Sequence, residues 1–163
     1  MRRQYPPHPL VGVGAIVVDK GRVLMVKRGH APHRGQWSIP GGMLELGERL
    51  GQAAEREARE ETGVEVEATD LLGVFERILL DRKERTRYHY VLVDFLCRRT
   101  GGVLRAAADA DEARWFRPQQ LEKLELAADT RDVIRLAIEK AAQAAGETTR
   151  TRSGSRHEAA RQR

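Results

Sequence analysis

The sequence predicts an α/β domain, a mixed β-sheet held between helical layers. Three observations carry this. Apolar, β-branched stretches recur from Val11 onward, divided by short polar or glycine-bearing connections. In their midst, GMLELGERLGQAAEREAREETGV (residues 42–64) has helical rather than alternating spacing. Near the end, Val133, Ile134, Leu136, Ala137, Ile138 and Ala141 form one apolar stripe of a second long helix. At 163 residues the chain is long enough for one domain with a proper core.

In chain order, Val11–Asp19 reads as a buried strand, and Lys20-Gly21 as a tight turn. Arg22–Arg28 returns as a second strand. Gly29–Gln36 is a polar loop, and Trp37–Ile39 is a short strand feeding a Pro40-Gly41-Gly42 bend. A helix follows over roughly Arg49–Thr62: Ala53, Ala54 and Ala58 favour it, and Gly63 stands where a left-handed cap belongs. Glu48, at its start, complements the helix dipole. Val64–Glu67, Leu71–Leu80 and Tyr88–Arg98 read as strands, with a charged hairpin loop at Asp81–Arg87. Val103–Arg105 and Ala113–Phe116 are shorter strands. Pro118 opens a brief helix through Leu124, and Asp129 or Thr130 caps a final helix over about Arg131–Ala145.

Residues 1–145 are thus expected to form one domain, and residues 146–163 a basic, disordered tail. The tail carries five arginines against two glutamates, a net +3 within the chain's +5. A solubilising extension explains it more simply than a nucleic-acid contact. The single cysteine, Cys97, excludes a disulfide framework, suits a cytoplasmic setting and reads as core packing. No apolar run reaches membrane length, and MRRQYPPHPL lacks the apolar stretch of a secretory signal.

The acidic cluster is the chemical signal. At about 100° per residue, Glu57, Glu60 and Glu61 share one helical face. Three such carboxylates repel one another without a cation, and hard oxygen ligands suit Mg²⁺ or Mn²⁺. Metal-assisted attack on a phosphate chain is the matching chemistry. Arg56 beside them is expected to anchor the acids, keeping them ionised and oriented.

Gly42, five residues, Glu48, seven residues and Arg56-Glu57-Ala58-Arg59-Glu60-Glu61-Thr62-Gly63-Val64 resemble the complete Nudix box, with Ala58 and Val64 at its aliphatic positions. Gly35-Gln36-Trp37-Ser38-Ile39-Pro40-Gly41-Gly42 before it is similar to the lead-in of many members, and roughly residues 8 to 140 fit one such domain. The resemblance implies a Nudix fold, a mixed sheet in an α/β/α sandwich. It implies hydrolysis of a nucleoside diphosphate linked to another moiety, with Mg²⁺ or Mn²⁺ as cofactor and a small nucleotide as partner. It adds the Gly41 carbonyl as a metal ligand beside Glu57, Glu60 and Glu61, with Glu48 binding a further metal directly or through water. Pairing of two copies is common among relatives, and the N-terminal strand or last helix would supply the surface. The stretches GVGAIVV, VLMVKRG, GQWSIPGG and ARWF are similar to bacterial members assigned to ADP-ribose, although the proline downstream of the box in such enzymes is missing at Ile78-Leu79-Leu80-Asp81. An 8-oxo-dGTP-type triphosphate hydrolase is the alternative substrate reading. A nucleotide-sensing or RNA-associated module on the same fold is the alternative of another class.

The general base is Glu57 itself or, outside the box, Glu84 or Glu112, with Asp111 a weaker candidate; for each outside acid a plain surface charge is the favoured reading. Arg28 and Arg34 are candidates for a phosphate fork, against the plain reading of solvent-facing arginines. Arg82, Lys83, Arg85 and Arg87 are read mostly as solvated. Trp37 either stacks on a base or packs beside the glycine bend, and Tyr88 and Tyr90 could line a pocket. His30 and His33 lack zinc-ligand spacing.

Overall fold

A computed structural model describes residues 3–29, 34–108 and 110–159, with side chains described up to Gly146. His30 and His33 lie outside the described residues. Seven strands form one mixed sheet in the order β3-β2-β1-β6-β5, with β4 added on β1 and β7 on β2. Helix α1 (Leu50–Thr62) covers one face and α3 (Ala128–Ala159) the other, the α/β/α layering the sequence predicts.

The sheet splits at its first hairpin. Strand β1 (Leu10–Asp19) and β2 (Arg22–Arg28) meet through Lys20-Gly21, both at positive φ (50° and 69°), as a tight hairpin turn requires. They pair only at Val18↔Val23 and Asp19↔Arg22. Beyond that point β2 turns to β3 (Trp37–Ser38) and β7 (Ala110–Phe116). The edge of β1 so released is taken by β4 (Gly41–Met43), through Gly12↔Met43, Val13↔Gly42 and Gly14↔Gly41. Of the expected Pro-Gly-Gly bend, Pro40 does bend the chain, while Gly41 and Gly42 pair within β4. Its glycines are needed for closeness: a Cβ at Gly41 would overlap the Val13 carbonyl, and one at Gly42 the Glu57 carboxylate.

On its other side β1 runs parallel to β6 (Thr86–Gly102), from Leu10↔Tyr90 to Val18↔Arg98. Strand β5 (Val64–Leu80) is continuous where two strands were expected; irregular register at Ala68/Asp70 and Leu71/Gly73 takes up the polar break. Residues 103–105, expected as a strand, instead run along the C-terminus of α1. There the Arg105 and Ala107 N–H groups donate to the carbonyls of Thr62 (2.8 Å) and Glu61 (3.0 Å), which the helix leaves open.

The alternation of β1 sorts the core. Val13, Ala15 and Val17 join Ala53, Ala54, Ala58 and Val64 under α1, while Ile16 joins Val23, Met25, Leu96, Val133, Ile134 and Ala137 under α3. Cys97 lies in the first cluster, its thiol pushed up to about 12 by burial, as an inert core group. Helix α1 ends at Gly63 in the left-handed region (φ 69°). Helix α2 (Pro118–Leu121) is shorter than expected. Helix α3 starts at Ala128, so Asp129 sits in its first turn and not at its cap. The backbone of α3 continues through Ala159. No proline interrupts the run, and its two interior glycines, Gly146 and Gly154, cost about 1 kcal/mol each.

One polar side chain breaks the core pattern. Asp94, mid-strand in β6, is 8% exposed, and burial, with Asp129 adding, pushes its carboxyl up to about 6 from an ordinary 3.8. A carboxyl raised on folding contributes stability that is complete below pH 3.8 and lost as pH climbs through 6. Melts of the parent and Asp94→Asn between pH 4 and 7 should therefore diverge, the parent losing about 3 kcal/mol relative to the variant at roughly 1.4 kcal/mol per unit. Parallel stability profiles would contradict this placement.

Candidate active site

The acidic face of α1 is organised around Arg56. Its Nε and Nη2 donate to the two oxygens of Glu48 at 2.8 and 3.0 Å, a bidentate pair. Nη1 donates to Glu57 Oε1 (2.8 Å) and Glu60 Oε2 (3.2 Å), and Nη2 reaches the Met43 carbonyl of β4 at 3.1 Å. One guanidinium therefore ties the loop before the helix, two helical carboxylates and β4 together, as the anchor the sequence predicts. The pairing holds Glu48 below the usual carboxylate range and raises Arg56.

Two of the helical acids land on the glycines of β4. Glu57 lies against Gly42 in the space a Cβ would fill, and Glu61 Oε2 accepts the Gly41 N–H at 3.0 Å. Desolvation raises the carboxyl of Glu57 despite Arg56, so this group is short of positive charge. Glu60 is the open member, 48% exposed at its side chain. Among the described residues no three acids, histidines or cysteines stand in a cation-holding arrangement; Arg56 meets Glu48, Glu57 and Glu60. The donor chemistry still fits a hard divalent cation: carboxylate oxygens converge on a backbone strip bare of side chains. Glu48 differs from the rest. Both its oxygens accept from Arg56, so it anchors the arginine from the loop before the helix.

The outside candidates fall elsewhere. Glu112 on β7 is bound by Lys27 (3.0 Å) and by Arg114, and this pairing lowers its carboxyl. Glu84 lies at positive φ (58°) in the exposed β5–β6 loop, and Asp111 is exposed. In that loop Arg85 closes onto Asp81, which also accepts from Tyr5, so this part of the basic run is structural. Trp37 packs edge-on against Phe116 (4.8 Å) with Lys27 and Arg114 beside its ring, the packing alternative. Arg34 is exposed. Arg28 is half-buried and close enough to Tyr90 to act on its phenol, and the Tyr88 and Tyr90 rings stack at 6.0 Å. Sequence reasoning missed two features: Asp94, flagged only by a charge inside VLVDFLC, and the Met43 carbonyl, which as backbone leaves no signal.

Comparison with known proteins agrees with this geometry. A family model described as NUDIX domain matches residues 8–137. An ADP-ribose pyrophosphatase of Methanocaldococcus jannaschii is 38% identical over 117 residues, 72% of this chain and 67% of that protein. The crystal structure of a MutT NUDIX hydrolase from Burkholderia pseudomallei matches with a TM-score of 0.65 at 32% identity, over 81% of this chain and 97% of that one. A bifunctional NMN adenylyltransferase/ADP ribose pyrophosphatase from Francisella tularensis, solved with AMP and a Mn ion, matches with a TM-score of 0.60 at 26% identity, over 83% of this chain and 43% of that one. A complete box whose arginine and acids close around the glycine strand, together with a family match over most of the chain, means that this protein belongs to the Nudix hydrolase family.

Proposed function

We propose that the protein is a Mg²⁺- or Mn²⁺-dependent pyrophosphohydrolase of a nucleoside diphosphate derivative of the ADP-ribose type, acting in the cytoplasm. The carrying observation is the convergence of Glu57 and Glu61 on Gly42 and Gly41, with Arg56 holding the helix acids to the same strand. Similarity to the archaeal ADP-ribose pyrophosphatase and to the bifunctional Francisella protein supports the ADP-ribose class. A bound divalent cation neutralises phosphate oxygens and acidifies water. Glu57, Glu60, Glu61 and the Gly41 carbonyl are the groups that would hold it. Arg56 fixes their orientation from behind, and the missing side chains of Gly41 and Gly42 let a diphosphate approach the backbone. The proton acceptor is an acid near the attacking water, Glu57 or one of the outside acids Glu84 and Glu112.

A panel of ADP-ribose, NADH, diadenosine polyphosphates, nucleotide sugars and 8-oxo-dGTP, assayed with Mg²⁺ and with EDTA, tests the reading. Turnover should be fastest on ADP-ribose and vanish with EDTA. Preference for 8-oxo-dGTP would transfer the assignment to triphosphate hydrolysis, and binding without cleavage throughout would favour a sensor.

Glu57→Gln and Glu61→Gln should each lower kcat by about 10²- to 10⁴-fold with the fold intact by circular dichroism. Gly42→Ala, whose methyl would displace the Glu57 carboxylate, should lower kcat while leaving the α1 helix formed. Full activity in these variants would refute the ligand set.

Arg56→Lys keeps the charge and loses the fork to Glu48. It should weaken Mg²⁺ activation by about 10- to 100-fold, with a much smaller change in nucleotide KM. The opposite split would mark Arg56 as a substrate contact.

A further inference from the structure

Asp94 remains unexplained by the hydrolytic site. In the sheet register it lies between Gly14 of β1 and Gly73 of β5, so no neighbouring side chain flanks it within its row. It projects to the α3 face, the side of Ile16 and Leu96. Its Oδ1 lies over Gly14, where a Cβ would overlap both that oxygen and Ile39 Cδ1. Among the described residues no side chain or backbone donor is paired with this carboxylate, which keeps 8% exposure at its residue and is not one of the fully enclosed unpartnered groups. The nearby cation, Arg77, is already paired with Asp129 of α3 at 2.5 Å. Such a site has spare acceptor capacity, repels anions and offers an uncharged donor the most.

Its position relative to β4 narrows the donor. Gly41, Gly14 and Asp94 occupy one row across three strands. Strands are about 4.8 Å apart, and the Asp94 oxygen leans back over Gly14, roughly one strand spacing from Gly41. No strand pairs with the outer edge of β4, and the Gly41 N–H there holds Glu61. The Asp94 oxygen and Ile39 Cδ1 fill the space over Gly14, so a sugar joined to a diphosphate at that edge would meet Ile39 and the Asp94 carboxylate together.

We propose that Asp94 is a specificity-determining residue whose two carboxylate oxygens accept the 2′- and 3′-hydroxyls of the substrate's nucleoside ribose, between the sheet and the first turn of α3. The assignment rests on the hydrolase reading above. A carboxylate accepts without donating, and two adjacent hydroxyls match its two oxygens.

Calorimetric binding of ADP, 2′-deoxy-ADP, 3′-deoxy-ADP and IDP to the full chain, with melting curves at pH 7, tests it. The parent should favour ADP over each deoxy analogue by about tenfold or more. Asp94→Ala should bind ADP and both deoxy analogues at the weaker affinity, and the isosteric Asp94→Asn should lose most of the preference. Both variants should melt above the parent, because an unpartnered buried charge is gone. Equal binding of ADP and the deoxy analogues by the parent would overturn the proposal. So would a lower melting temperature in both variants, which would mark Asp94 as structural. So would discrimination between ADP and IDP that disappears with Asp94, which would move the contact to the base. Failure of the folded parent to bind any of the four would instead defeat the hydrolase reading, and the ribose assignment with it.

Discussion

The site depends on one guanidinium. Glu48, Glu57 and Glu60 are acids that would repel one another, and Arg56 meets all three while also gripping the Met43 carbonyl. Through it the acidic helix is fixed to a strand rather than only to the apolar sheet face. Side chains 16% exposed at Arg56 and Glu48 and 14% at Glu57 shield these bonds from water, which strengthens them relative to surface pairs.

The second constraint is steric and comes from the split sheet. Because β2 leaves β1 after two paired positions, β1 presents a free edge, and a strand of almost no width must fill it beneath α1. Gly41 and Gly42 meet that demand, so the same absence of side chains that lets β4 seat against Val13 also lets two carboxylates reach the backbone. The opening for substrate follows from how the sheet closes.

Much of this was legible in the sequence because it is local. Residue spacing fixed the acids of α1 on one face, the glycine after Thr62 ended the helix, and β-branched alternation marked β1 and β2 with their observed ends nearly in place. The failures are non-local. Whether Gly41 and Gly42 bend or pair depends on β2 abandoning β1, and whether residues 103–105 form a strand depends on open carbonyls at the end of α1. Glu112 looked free because its partners, Lys27 on a distant stretch and Arg114, meet it only across the β2–β7 pairing. Asp94 was hidden by its own strand, since an apolar run with one charge reads as a core with a blemish.

The proposed hydrolysis requires the α1 carboxylates to hold a divalent cation at the glycine strand. Anomalous diffraction from crystals soaked in Mn²⁺ tests it most directly. The account predicts a strong peak between Glu57, Glu60, Glu61 and the Gly41 carbonyl, with Arg56 still bound to Glu48. A clean map with no peak there, and all three acids closed onto arginine and backbone N–H groups, would contradict it.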